Sequence, residues 1–337
     1  KSKLTLKMKE LSPILLSGNG TPRTLECLVI QSPLAGVSDQ IFRSFVRRWS
    51  PKALLFTEMV NATSLELGHG EEKVIELSEE SGPIGVQLFD HRPESMIDAA
   101  IKSELKGAFL IDINMGCPVR KIARKGGGSA LLKEPKLAQT IVKKVSKAIS
   151  IPLTVKIRLG WCETTSDPIS FALGLQEAGA QLITVHGRTR RQGFSGSADW
   201  EAIAKIKKSL DIPVIANGDI KSSKDAIKCL EMTNADGVMI GRASMGAPWL
   251  VGQIDAEINN QKTFMTPDAK MKVSLSLEHL KLLVEKKGNH GLLIARKHMN
   301  WTCRGFEGSS TLRNKLVRAC TPSEAIKLLE EELLKFN

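Results

Sequence analysis

Eight short apolar runs recur along this chain, at residues 27–32, 53–57, 84–89, 109–113, 153–157, 182–186, 213–216 and 236–240. A run without polar alternation reads as a strand buried on both faces. Such strands belong to parallel sheets, whose neighbours are joined by crossovers long enough to hold a helix. Residues 39–49, 93–105, 135–149, 168–178, 200–210 and 223–230 supply those crossovers, and most open after Asp, Ser or Pro. Eight units of similar length predict an α/β chain closed into a ring, the TIM (β/α)8 barrel. A doubly wound open sheet is the alternative, and the even repetition favours closure. The 337 residues leave room for a barrel of about 250 residues and a smaller second unit.

The texture changes after residue 258. Residues 259–267 read as a linker, and beyond them the pattern predicts no strand, only amphipathic helices at 269–287, 291–303, 310–319 and 323–336. Thr321-Pro-Ser-Glu324 is a capping box with proline at the first helical position. The expected organisation is therefore a barrel over residues 1–261 and a small helical bundle over 262–337. From residue 268 onward the chain carries 13 Lys and Arg against 8 Asp and Glu, and the whole chain has a net charge of +12. That balance suits a polyanionic partner. The expectation at this stage is that a barrel ended near residue 262 keeps its cofactor and loses its polyanion.

Six cysteines are spread along the chain with no C-x-x-C pair and no histidine at zinc-finger spacing, which argues against a metal site. They fit a reducing cytoplasm. The N-terminal stretch at residues 1–9 is basic, but the apolar residues after it are too few and too proline-broken for a signal peptide. No apolar stretch approaches the ~18 residues a membrane helix needs.

The fourth apolar run delivers Asn114-Met-Gly-Cys-Pro118 to a strand end. Free cysteine is usually a buried small hydrophobe. Here its Asn, Gly and Pro neighbours are poor core residues, so Cys117 is placed for chemistry as nucleophile, metal ligand or proton donor. Four cations (Arg120, Lys121, Arg124, Lys125) and three consecutive glycines follow it. They predict a mobile loop that meets an anion, with neighbouring cations favouring the thiolate.

In a barrel the working residues sit at the carboxyl ends of the strands, and a phosphate is commonly held after strands 7 and 8. Strand 7 ends in Asn217-Gly218-Asp219 and strand 8 in Gly241-Arg242. The glycines let backbone N–H groups approach a phosphate, and the arginine supplies a charged fork of donors. The other ends offer Pro33, Leu34 and Ala35, then Gln87, Asn114, Lys156 and His186. A cation at the edge of a flavin stabilises its anionic reduced form. Lys156 and His186 beside a phosphate site thus describe a mononucleotide flavin. The spacing of Gly126, Gly127 and Gly128 does not match a dinucleotide fingerprint.

At these residues the chain resembles the tRNA-dihydrouridine synthases, B-type bacterial members in particular. The motifs Asn114-Met-Gly-Cys-Pro-Val-Arg-Lys121, Gly128-Ser-Ala-Leu-Leu132, Val155-Lys-Ile-Arg-Leu-Gly-Trp161, Val185-His-Gly-Arg-Thr-Arg190, Ile215-Ala-Asn-Gly-Asp-Ile220 and Met239-Ile-Gly-Arg-Ala243 match in order. Ile294-Ala-Arg-Lys-His298 resembles the family's helical domain. The resemblance implies an oxidoreductase with FMN held by Pro33, Leu34, Ala35, Gln87, Lys156, Asn217, Gly218, Asp219, Gly241 and Arg242. It implies NADPH as electron donor, hydride transfer to C6 of a tRNA uridine, and Cys117 as the acid that protonates C5. Arg120, Lys121, Arg158, Arg188, Arg190, Arg296 and Lys297 are the candidate phosphate contacts to tRNA. Two positions depart from the family: Ser32 stands where Ala is usual, and Phe194 where Tyr is frequent.

Two rival readings use the same residues. A barrel flavoprotein acting on a free pyrimidine would need no basic helical appendage. A noncatalytic RNA-binding factor would need neither Cys117 nor a complete cofactor set.

Overall fold

The computed structural model of the chain describes residues 11–75, 77, 80–164, 167–261 and 264–336. The basic stretch at 1–9 and the expected start of the second unit at 262 lie outside the described residues. An antiparallel hairpin, β1 (Ile14–Leu16) and β2 (Arg23–Leu25), comes first. The parallel strands follow: β3 (Val29–Gln31), β4 (Leu55–Phe56), β5 (Val60–Asn61), β6 (Ile84–Phe89), β7 (Leu110–Met115), β8 (Leu153–Arg158), β9 (Ile183–His186), β10 (Val214–Asn217) and β11 (Gly237–Ile240). Their order is β3-β11-β10-β9-β8-β7-β6-β4, with β5 also pairing β6. The ring closes where Cys27 bridges Ala53 in parallel and Gln31 N donates to Leu54 O at 3.1 Å. The expected eight-stranded barrel is therefore present. The short β5 and the hairpin are additions the apolar pattern did not announce.

The crossovers hold α1 (Gln40–Trp49), α2 (Ala62–Glu66), α3 (Glu72–Ile75), α4 (Pro93–Leu105), α5 (Arg120–Arg124), α6 (Pro135–Ala148), α7 (Pro168–Glu177), α8 (Trp200–Ser209), α9 (Ser223–Thr233) and α10 (Leu250–Ile258). Side-chain caps fix several of their starts. Asp39 accepts from Phe42 N at 2.9 Å, Asp199 from Ala202 N at 2.8 Å and Ser222 from Asp225 N at 3.2 Å. Each cap satisfies one of the amides a helix leaves unpaired, worth about 1 kcal/mol. Apolar faces of these helices meet the outward residues of the strands, for example Ile141 and Val145 of α6 with Val155 of β8. A separate cluster fills the barrel's lower interior, where Leu16 and Leu25 of the hairpin pack with Ile30, Leu110, Leu182, Ile215 and Met239.

After α10 come α11 (Ala269–Lys287), α12 (Asn289–Thr302), α13 (Ser309–Arg318) and α14 (Pro322–Leu334). Thr321 caps α14 from Glu324 N at 3.2 Å, and Glu324 accepts in turn from Cys320 N at 2.8 Å, one residue before the cap. The helical layer is not merely tethered. Its core takes in Ile41 and Phe45 of α1 and Trp249, and Trp301 of α12 packs against the barrel's own core. A Cβ on Gly246 would lie 2.4 Å from the Trp301 carbonyl carbon, so only glycine permits this approach. No described helix is long and apolar enough to cross a membrane.

Two histidines lie in this seam. The rings of His279 and His298 are 4.3 Å apart, His279 stands 5.0 Å from Phe45, and neither Nε2 has a protein partner among the described residues. Burial lowers the pKa of His279 to about 4 and that of His298 to about 2. A depressed histidine contributes stability above its unfolded value near 6.5 and loses it as pH falls. The unfolding free energy should therefore fall between pH 6.5 and 4, by up to about 1.4 kcal/mol per histidine per pH unit, and the melting temperature with it. His279→Leu should flatten that slope in thermal melts. Equal slopes in parent and variant would place the acid sensitivity elsewhere.

Candidate active site

A cavity of about 630 Å³ opens at the carboxyl ends of the barrel strands, within the range of small-molecule sites. Pro33, Leu34 and Ala35 after β3 form one wall, and Gln87 of β6 and Asn114 of β7 lie beside Cys117. Lys156 of β8, His186 of β9, and Asn217, Gly218 and Asp219 after β10 continue the ring to Gly241 and Arg242 after β11. The structure thus brings all the expected cofactor residues and the cysteine around one space.

The cysteine is held from below. Asn114 Oδ1 accepts from Gly116 N at 3.0 Å and from Cys117 N at 2.8 Å. Arg158 closes the same turn from the side, its Nε donating to Gly116 O at 2.9 Å. Burial raises the Cys117 pKa above the ordinary thiol value, and Arg158 and Lys156 only partly offset this. The thiol is therefore protonated at neutral pH, contrary to the expectation that nearby cations would favour a thiolate. Desolvation of the thiol is the largest effect and outweighs the Val119 backbone hydrogen bond and both charges. No cluster of three or more His, Cys, Asp or Glu among the described residues is placed to hold a metal.

Across the cavity Lys156 Nζ donates to Asn217 Oδ1 at 3.1 Å. Burial and then Arg158 lower the Lys156 pKa to about 8, so its charge is in reach of titration near neutrality. His186 is surrounded by cations. Burial, followed by Lys156 and Arg158, pushes it down to about 2, which fixes a neutral imidazole. Its Nε2 lies 3.4 Å from Arg188 NH1, which can only donate, so the ring proton belongs on Nδ1.

The far end of the cavity fits an anion. Among the described residues, the amides of Gly218, Asp219 and Gly241 donate to no protein group. Gly218 has φ +118°, and a Cβ there would stand 2.8 Å from Ala198 Cβ and 2.9 Å from His186 Cδ2. Arg242 rests with its guanidinium 4.2 Å from the Phe194 ring centroid and 3.9 Å from Asp219 Oδ1. The Asp219 carboxylate is already engaged. Burial pushes its pKa up, but the Ala198 amide and Arg188 hold it below the usual range. A phosphate there would meet donors without meeting a free carboxylate.

The cations assigned to RNA by sign alone divide into two groups. Arg120 and Lys121 are exposed on α5. This stretch is a short helix and not the expected loop, and with none of its residues buried it carries no apolar stripe. Arg190 lies 4.5 Å over the Trp161 ring, which Lys133 also approaches at 4.5 Å. Arg158 and Arg188 are corrections to the expectation. Arg158 NH1 donates to Thr189 O at 3.0 Å and Gly193 O at 2.7 Å, and Arg188 NH2 pairs with Asp219 at 2.7 Å. Both guanidiniums are buried and engaged by the protein, so they shape the cavity wall instead of reaching a backbone phosphate. Arg296 NH2 donates to Ala319 O at 2.7 Å, and Lys297 Nζ donates to Gly36 O beside the Pro33 wall.

One functional group escaped the sequence reading. Asp112 lies beneath the cavity floor on β7, hydrogen-bonded to Gln87 Nε2 at 2.7 Å and Thr154 Oγ1 at 2.6 Å. The signal was a lone acid inside the buried run Phe109-Leu-Ile-Asp-Ile113.

A family model described as dihydrouridine synthase matches residues 30–337. The chain is 48% identical over 310 residues to a probable tRNA-dihydrouridine synthase 1 of Synechocystis sp., a match covering 92% of this chain and 87% of that one. It is 37% identical over 305 residues to tRNA-dihydrouridine synthase B of Pasteurella multocida, covering 90% and 91% respectively. Among solved structures, morphinone reductase in complex with tetrahydroNAD is similar with a TM-score of 0.52 at 13% identity, over 78% of this chain and 93% of that one. Histamine dehydrogenase from Rhizobium sp. 4-9 gives a TM-score of 0.57 at 12% identity, over 80% of this chain and 50% of that one. These two likenesses speak to the barrel alone. The chain belongs to the dihydrouridine synthase family, the oxidoreductases that reduce uridine to dihydrouridine in tRNA.

Proposed function

We propose that this chain reduces uridine to 5,6-dihydrouridine in tRNA, with bound FMN, NADPH as electron donor and Cys117 as the proton donor. The observation that carries the reading is a half-buried thiol, its pKa raised by burial, on the wall of a cavity whose other end is lined by unpaired amides and Arg242. FMN, when bound, supplies the hydride for C6 of the uracil. Gly218, Asp219 and Gly241 offer their amides to its phosphate, with Arg242 adding charge. Pro33, Leu34 and Ala35 cover the ring, while Gln87, Asn217 and Lys156 present hydrogen-bonding groups to its polar edge. Asn114 fixes the turn from which Cys117 hands its proton to C5. A uridine inside folded RNA must be extruded to reach this depth. Arg120, Lys121, Arg190, Arg296 and Lys297 are the phosphate contacts we assign around the mouth and on the helical layer at 262–337. A tRNA substrate supports a cytoplasmic location.

Incubating the purified protein with unmodified tRNA and NADPH should convert uridine to dihydrouridine, read by nucleoside mass spectrometry. No conversion, or equal conversion of free uridine, would overturn the reading. Arg242→Ala should weaken FMN binding by about 1.5–3 kcal/mol, the value of a hydrogen bond to a charged group. Unchanged flavin affinity in a fluorescence titration would remove Arg242 from the phosphate site.

A further inference from the structure

Asp112 does not line the cavity, yet its carboxylate determines how the residues above it can point. We infer that Asp112 is a positioning residue that sets the direction of a relay of amides ending at the Cys117 turn. The proposal rests on the reading of Cys117 as proton donor and adds to it the group that holds the thiol in register.

The argument is one of donors and acceptors. Asp112 is buried on the inner face of β7, in register with Gln87 of β6 and Thr154 of β8. Burial pushes its carboxyl up to about 6, which leaves it ionised at neutral pH. An ionised carboxylate only accepts, so Gln87 must face it with its NH2 group, as the 2.7 Å contact shows. Gln87 Oε1 is then turned to β7, where it accepts from Asn114 Nδ2 at 2.8 Å. That leaves Asn114 Oδ1 as the acceptor for the amides of Gly116 and Cys117, at 3.0 and 2.8 Å. Either amide alone could turn over at little cost, and the direction is fixed only by what stands at the ends. At one end stand two backbone donors. At the other stands Asp112.

Asp112→Asn puts a donor and an acceptor where two acceptors stood. Thr154 donates to the new oxygen, the new NH2 faces Gln87, and Gln87 turns its own NH2 toward that of Asn114. Asn114 then cannot keep both its bond to Gln87 and its bonds to the turn. Asn114→Asp alone fails at the same place, because Gln87 would need an NH2 group at both ends. The double variant exchanges the two ends. Asn at 112 donates to Gln87, Gln87 turned over donates to Asp at 114, and that carboxylate accepts from Gly116 and Cys117, so every bond of the relay is made again in reverse.

The experiment is pH-dependent alkylation of Cys117 by iodoacetamide in the purified full-length protein, followed at the Cys117 peptide by mass spectrometry. In each single variant the limiting rate of the thiolate, read from the plateau of the pH profile so that the charge changes at 112 and 114 do not enter, should rise about tenfold, the factor that corresponds to one lost buried hydrogen bond. The double variant should return to within about threefold of the parent, a coupling that neighbours in one network show and independent sites do not. Additive increases in the double variant, or parental rates in both singles, would overturn the relay. If a single variant fails to fold, recovery of a folded double variant is the supporting result and continued failure the opposing one. Alkylation needs no tRNA. A relay that passes in a protein that does not reduce uridine would therefore sink the functional reading and leave this one standing.

Discussion

Cys117→Ala should be reduced by NADPH at close to the parental rate while its reaction with tRNA slows by about 10²–10⁴-fold, the usual contribution of a positioned general acid. The two half-reactions separate because a proton donor to C5 takes no part in the first. The structure sharpens the expectation in two ways. Burial raises the Cys117 pKa, so the proton is present to be given. His186, which lines the same cavity, is held neutral with its pKa near 2, and no imidazolium stands in when the thiol is gone. Cys117→Ser should lose nearly as much, since a hydroxyl is a far weaker acid than a thiol. Rapid-mixing absorbance of the flavin reads both steps in one preparation. An alanine variant that reacts with tRNA at the parental rate would reduce Cys117 to a packing residue.

A chain ended after residue 261 should not give the flavin-loaded barrel that the sequence led us to expect. Removing α11 to α14 uncovers Ile41, Phe45, Trp49 and Trp249, and it withdraws Trp301 from the barrel's core. Each large apolar side chain loses about 1.5–3 kcal/mol of burial. Four of them amount to about 6–12 kcal/mol, as much as a typical domain has in total. The expected result is insoluble protein with no flavin absorbance. A soluble, yellow truncated barrel would show that the helical layer is an appendage and that its apolar contacts carry little weight.

What the sequence made legible follows from burial. The eight barrel strands are buried on both faces, and such strands appear as unbroken apolar runs. The hairpin strands have three residues each, β5 has two and α2 has five, too short for any period to emerge. Helix α5 was read as a loop because it buries none of its residues and so has no apolar stripe. Within the site, Gly218 and Arg242 were legible because strand order alone places them together. Arg158 and Arg188 were misassigned for the opposite reason. A guanidinium satisfied by backbone carbonyls or a carboxylate cannot be told from a solvated one by its position in the chain. Asp112 was visible as a polar interruption, but its partners Gln87 and Thr154 lie 25 and 42 residues away.

The closure of the ring has a bearing on synthesis. Strand β3 is hydrogen-bonded on one side to β11, with Val29 opposite Val238 and Gln31 opposite Ile240. The hairpin before it packs Leu16 and Leu25 onto residues from the first strand to the last. On the ribosome these leucines emerge ahead of every barrel strand, yet the surface they cover is complete only when residue 240 has left the exit tunnel. While the barrel strands are being made the hairpin therefore waits with its apolar side uncovered, and the ring closes only when β11 reaches β3. Anything that slows elongation before β11 lengthens that wait, which makes the hairpin a poor place to add further hydrophobic residues.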